Sequence, residues 1–248
     1  MNNKLGLVSV SFRELTPFQI IDLMKSVGIS VVEWGSDVHA PCKGDLQLME
    51  IAEYQKKNGI KCSSYGTYFR AGVTPIEELQ GYINAAKILG TDVLRIWCGD
   101  KDSEKYPPEE KESLFENCRK LAAVAEENDV ILCCECHGWS YTNTLASALE
   151  LMKAVNSKNF KMYWQPNQFK DFATNLECAE KIAEYTVNIH VFNWQGENKL
   201  PLIEARDEWR EYLKKFSGNE NLLLEFMPDG KPQSLETEYK SLLEIVGE

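Results

Sequence analysis

Positive charge is scarce in this chain, which carries 27 Lys and Arg against 38 Asp and Glu for a formal net charge of −11. Nucleic acids and anionic membranes are gripped through Lys and Arg that displace counterions, so neither is expected as a partner. Long apolar runs are missing too. Nowhere do the ~18 consecutive apolar residues needed to cross a bilayer occur, and the first dozen residues lack an apolar signal core. No Pro-rich or Gly/Ser-rich linker, low-complexity tract or block of like charge interrupts the composition, so residues 1–248 read as one domain. That length suits a single substantial core. The glycine-rich turn of a dinucleotide fold is absent after the first apolar run, where Ser9-Val10-Ser11-Phe12-Arg13 stands instead.

Cysteine is present, with eight residues. Cys62, Cys98, Cys133, Cys134 and Cys136 lie in or beside apolar, strand-like segments, where a thiol packs as a small hydrophobe. Packed thiols and no leader pattern make the cytoplasm the expected compartment.

Short β-branched runs alternate with longer amphipathic segments. Eight strands are predicted, over 5–11, 30–34, 61–65, 93–97, 130–136, 161–165, 188–193 and 222–226. Helices are predicted over 17–27, 46–58, 75–89, 108–128 and 235–246. Thr16-Pro17 and Thr74-Pro75 each set a capping residue before a proline at the first helical position, where the missing N–H costs nothing. Gly28, Gly59 and Gly90 each sit where a left-handed helix end wants glycine. Eight strand–helix units of this kind predict a closed (β/α)8 TIM barrel of class α/β, with its functional groups at the C-terminal strand ends.

Polar residues gather at those ends. Side chains alternate along a strand, so Ile131, Cys133 and Glu135 share the inward face of the fifth strand. The same alternation turns Tyr163 and Gln165 inward on the sixth strand, and Asn188 and His190 on the seventh. Glu225 breaks the apolar run of the eighth. Two buried carboxylates repel, so Glu135 and Glu225 need a cation, a shared proton or basic partners. Two carboxylates, an imidazole and an amide oxygen form a set suited to Mn, Mg or Co, with zinc as a further candidate.

With these residues in order, the chain resembles the xylose-isomerase-like TIM barrel group of sugar isomerases and epimerases. The resemblance is carried by Val32-Glu33-Trp34-Gly35 with Asp37 and His39, Cys134-Glu135-Cys136-His137, Trp164-Gln165-Pro166-Asn167, His190-Val191-Phe192-Asn193-Trp194 and Leu224-Glu225-Phe226. It implies a divalent metal held by Glu135, Gln165, His190 and Glu225. Gln165 departs from the group's Asp and removes one negative charge from the site. The resemblance also implies that Glu135 and Glu225 are catalytic, one taking a proton beside a carbonyl and the other returning it on the opposite face through an enediolate. A homodimer is implied as well.

Five of the six tryptophans lie at or just past predicted strand ends, a bias that suits the apolar faces of a sugar or polyol. The substrate-binding set is read as Glu33, Trp34, His39, Arg70, Trp97, His137, Trp139, Asn193 and Trp194, with Asp100 nearby. Glu33 has a second reading as a partner of Arg95 or Arg13, and Trp164 points outward by parity. The leading expectation is a metal-dependent isomerase or epimerase of a small sugar or keto-polyol. An inosose-type dehydratase would start from the same enediolate, and a barrel that binds a metabolite without efficient metal chemistry is a third reading. An endonuclease IV-type phosphodiesterase is disfavoured by three histidines and the negative charge. No phosphate nest follows the last strands, although Lys199 and Lys231 offer point charges.

Overall fold

The computed structural model describes residues 4–247. The barrel strands are β1 (Leu5–Val8), β2 (Val31–Gly35), β3 (Lys61–Ala71), β4 (Val93–Cys98), β5 (Ile131–Glu135), β6 (Phe160–Trp164), β7 (Thr186–Val191) and β10 (Asn221–Leu224). They pair in parallel in the closed order β1-β10-β7-β6-β5-β4-β3-β2. A two-stranded antiparallel ribbon, β8 (Trp194–Gln195) and β9 (Asn198–Lys199), projects from the loop after β7. Around the barrel run α1 (Pro17–Val27), α2 (Asp45–Lys57), α3 (Leu79–Leu89), α4 (Pro108–Glu127), α5 (Leu145–Val155), α6 (Phe172–Ile182), α7 (Arg206–Leu213) and α8 (Leu235–Val246).

The turn chemistry explains this regularity. Thr16 caps α1 in a reciprocal box with Gln19. Gly28 and Gly90 end their helices at φ 85° and 84°, a left-handed conformation that a side chain resists. At Thr74-Pro75 the structure corrects the expected cap. Thr74 Oγ1 accepts from the backbone N–H of Arg70 at 3.0 Å, and a 3-10 turn (Ile76–Glu78) precedes α3. The first predicted strand is likewise shortened, because a 3-10 turn (Ser9–Phe12) replaces its end. There Ser9 Oγ accepts from the Gly35 N–H and Ser11 Oγ from the Phe226 N–H, both at 2.9 Å, stitching β1 to the ends of β2 and β10.

Two apolar layers result. The larger fills the space between sheet and helices and contains Trp34, Trp164 and Trp209. The smaller, with Val8, Val31, Val93, Cys133 and Leu223, fills the bore. Inward positions are therefore mostly apolar towards the N-terminal end, where the hydrogen-bonded Asn221–Asn188 pair is an exception, and polar at the C-terminal end, the distribution expected of a barrel whose mouth does chemistry. All eight cysteines are free thiols. Among the described residues, no helix is long and apolar enough to cross a membrane.

Candidate active site

The inward polar positions near the mouth form one connected network. Arg95, in the middle of β4, donates from Nη1 to Glu135 Oε2 in a very short contact and from Nε to Glu33 Oε1 at 3.1 Å. Ser64 and Tyr163 donate their hydroxyls to Glu33 Oε2 at 2.9 and 2.8 Å. Asn188 Nδ2 donates in turn to the Tyr163 hydroxyl at 2.6 Å. Arg95, Glu33, Glu135 and Glu225 are 4%, 0%, 3% and 7% exposed, so this charge sits away from bulk water.

His190 is the hub. Its Nδ1 lies 3.1 Å from Gln165 Oε1, 3.3 Å from Glu225 Oε2 and 3.7 Å from Glu135 Oε1. Its Nε2 lies on the other side, 3.4 Å from Glu33 Oε1. One atom each from Glu135, His190 and Glu225 can be chosen so that all lie within 4.8 Å of one another, the spread of a metal's ligand shell. Three of the four residues expected to hold a metal also have an outer partner. Arg95 holds the second oxygen of Glu135, Glu33 faces the second nitrogen of His190, and Gln165 Nε2 donates to the Cys136 carbonyl at 3.4 Å. Outer contacts of this sort fix the rotamer and tautomer of a ligand.

The electrostatics follow from burial and proximity. Burial by itself would raise the Glu33 carboxyl, but His190 and Arg95 hold it down at about 2. For Glu135, burial is again outweighed, chiefly by Arg95, and the carboxyl stays well below the usual carboxylate range. Burial should make His190 less basic, yet the charges of Glu225 and Glu33 raise it well above an ordinary histidine. Tyr163 is pushed far up by burial and by Glu33.

The four expected metal ligands therefore converge at one point, which parity on four strands anticipated. The expected substrate-binding residues divide. Trp97, Arg70 and His137 stand together at the mouth: the Arg70 guanidinium lies 4.2 Å from the Trp97 ring centroid and the His137 ring 4.4 Å from it. Trp139 is 72% exposed in the loop after β5, its carbonyl accepting from Arg70. Trp194 packs on Phe226 beneath Lys199. Asp100 is exposed and bonded to Tyr106.

Four of these expectations need correction. Trp34 faces the helices, not the mouth, and donates its indole N–H to Gln55 of α2 at 2.9 Å. His39 is 1% exposed, bonded through Nδ1 to Ser9 Oγ at 3.0 Å, and so belongs to the β1–β2 corner. Asn193 spends its amide on the Pro201 carbonyl at 2.9 Å, bracing the loop after β7. Glu33 lies below the mouth and pairs with Arg95, its second reading. Sequence reasoning underrated Arg95 and Tyr163. The signal for Arg95 was a lone cation inside the apolar run Val93-Leu94-Arg95-Ile96-Trp97, which only inward carboxylates can satisfy.

A closed parallel barrel with a buried ring of carboxylates and imidazole at its C-terminal mouth defines an enzyme-like (β/α)8 protein. The chain belongs to the xylose isomerase-like TIM barrel family, whose model matches residues 21–214. No curated protein sequence matches it. Among solved structures, a probable 3-DHS dehydratase, AsbF, of Bacillus anthracis is similar at 17% identity and a TM-score of 0.82, over 96% of this chain and 98% of that one. The D-psicose 3-epimerase of Clostridium cellulolyticum H10 is 17% identical with a TM-score of 0.72, over 97% of each chain. The zinc-binding IOLI protein is 19% identical with a TM-score of 0.77, over 98% of each.

Proposed function

We propose that this protein is a divalent-metal-dependent isomerase or epimerase of a small sugar or keto-polyol. The observation that carries the reading is the surrounding of His190 Nδ1 by three oxygens, from Gln165, Glu225 and Glu135, while Glu33 occupies the Nε2 side. Charge supports it. Three buried carboxylates, Glu33, Glu135 and Glu225, face one buried guanidinium, Arg95. The residual charge of two is what a divalent cation offsets in full and an imidazolium only by half. The donor set fits such an ion: mostly oxygen, one imidazole, no thiolate.

When bound, the cation supplies Lewis-acid polarisation of a neighbouring carbonyl and lowers the cost of removing the adjacent carbon-bound proton. The protein's own groups do the rest. Glu135, on β5, and Glu225, just past β10, flank the mouth with two strands, β6 and β7, between theirs in the barrel order, which suits removal of a proton on one side of a carbon and its return on the other. Arg95 keeps Glu135 ionised and oriented. Glu33 holds His190 so that Nδ1 faces the oxygens. Trp97, stacked with Arg70 and His137, builds one side of the mouth.

The test is Mn titration by calorimetry on chelator-stripped protein, beside Glu135→Gln, His190→Ala and Glu225→Gln, with ketoses then incubated in deuterium oxide. Saturable Mn binding lost in all three variants, with deuterium entering next to the carbonyl, is the expected result. A product with conjugated-carbonyl absorbance would make the enzyme a dehydratase instead. Absence of metal binding in the parent overturns the proposal and leaves a metabolite-binding barrel.

A further inference from the structure

Six arginines occur in the chain, and five have a carboxylate within 4.0 Å: Arg13, Arg95, Arg119, Arg206 and Arg210. Among the described residues Arg70 has none. In a protein of net charge −11 that is a selective exception, and it falls at the mouth of the barrel. The unusual length of β3 carries Arg70 to the rim, where it pairs in register with Trp97.

The surroundings of Arg70 hold it without neutralising it. Nη1 donates to the carbonyls of Gly99 and Trp139 at 2.8 and 3.2 Å, and the guanidinium carbon sits over the Trp97 ring. Nε and Nη2 donate to no residue described, so one complete two-pronged edge is open. That edge matches a carboxylate in geometry as well as charge. Trp97 Nε1 is also buried without a partner beside it. Trp97 shares the inward face with Arg95 two residues below, so the stack stands about 7 Å along the strand above the Arg95–Glu135 pair. A short carbon chain spans that distance.

We propose that Arg70 is a specificity residue that takes the carboxylate of an acidic substrate, making the preferred ligand a polyhydroxy or keto acid and not a neutral sugar. The inference rests on the reading of the mouth as the substrate site. It also accounts for electrostatics that a neutral substrate leaves idle, since an acid approaching a ring of glutamates needs a local cation at the entrance.

The test compares acid with neutral partner: D-glucuronate against D-glucose, and D-gluconate against D-sorbitol. Binding is read by calorimetry and tryptophan quenching on the full chain, metal-free and Mn-loaded. At least tenfold tighter binding of an acid is expected in the parent, with the preference lost in Arg70→Gln and partly kept in Arg70→Lys. The acid-to-neutral ratio isolates charge recognition from any loosening of the loops that Arg70 braces. Equal binding of acid and neutral partner, no binding of either acid, or a preference that survives Arg70→Gln overturns the proposal. A preference that vanishes in Lys199→Gln while surviving Arg70→Gln would move the role to the other rim and overturn it equally. Mn binding without acid preference sinks this inference and leaves the metal reading intact, whereas acid preference without Mn binding does the reverse.

Discussion

Glu33 Oε1 lies 3.4 Å from His190 Nε2, with both side chains fully buried and on strands that do not neighbour each other in the barrel. The contact ties the tautomer of the histidine to a carboxylate that is itself held by Arg95, Ser64 and Tyr163. A proton on Nε2 leaves the Nδ1 lone pair for an electrophile among Gln165, Glu225 and Glu135.

Glu33→Gln keeps the shape and removes the charge. It should weaken Mn binding by 10- to 100-fold, the usual effect of losing a partner that orients a metal-bound imidazole. Calorimetric titration beside an unchanged circular-dichroism spectrum checks it. Unaltered affinity would mean that Glu33 serves only the barrel's interior.

Arg95→Met removes the guanidinium that bridges two buried carboxylates, Glu33 and Glu135. Breaking a buried pair on one side typically costs about 3–5 kcal/mol, and here two carboxylates lose their partner. Denaturant unfolding should show a loss of that order, and Mn should restore more stability to this variant than to the parent.

Metal binding should expel a proton. His190 is held protonated by Glu225 and Glu33, and a ligand nitrogen must be bare. In the metal-free protein a histidine raised in this way contributes stability that is present below its unfolded value of about 6.5 and lost as pH climbs through its higher folded value. The melting temperature of stripped protein should therefore fall as pH rises above about 6.5, while the increment added by saturating Mn grows. Calorimetry in two buffers of different ionisation enthalpy should count about one proton released per Mn. An increment that does not change with pH would contradict the protonated histidine.

Trp34→Phe tests the corrected position of that residue. It removes the bond to Gln55 and part of a side chain packed between β2 and α2, so thermal stability should drop while Mn affinity and ligand binding stay as they were. Altered ligand affinity at unchanged stability would return Trp34 to the mouth.

The thiols give a further check. Cys98, Cys133 and Cys134 are completely buried, and burial pushes the Cys62 thiol up to about 12. A thiol reagent without reductant should leave these slow in native protein and count eight in denaturant. Fewer than eight would reveal a disulfide.

The sequence by itself determined the barrel, because its evidence is local and repeated. Helix ends such as Gly28 and Gly90 demand a left-handed residue, and the alternation of short apolar strands with amphipathic helices has few other closures. It also determined which side chains of β5, β6, β7 and β10 turn inward, since parity is a property of the strand alone. Tertiary structure decided what those side chains meet. The registers of β2 and β4 on the β3 strand between them set Glu33 against Arg95, and the extension of β3 past its expected end brings Arg70 to Trp97. Trp34 was misjudged for the same reason. Its place at a strand end was legible, but whether the indole meets a substrate or α2 depends on a helix packed against the sheet from outside. Contacts made across the barrel come from chain segments far apart in sequence, and no local pattern encodes their distances.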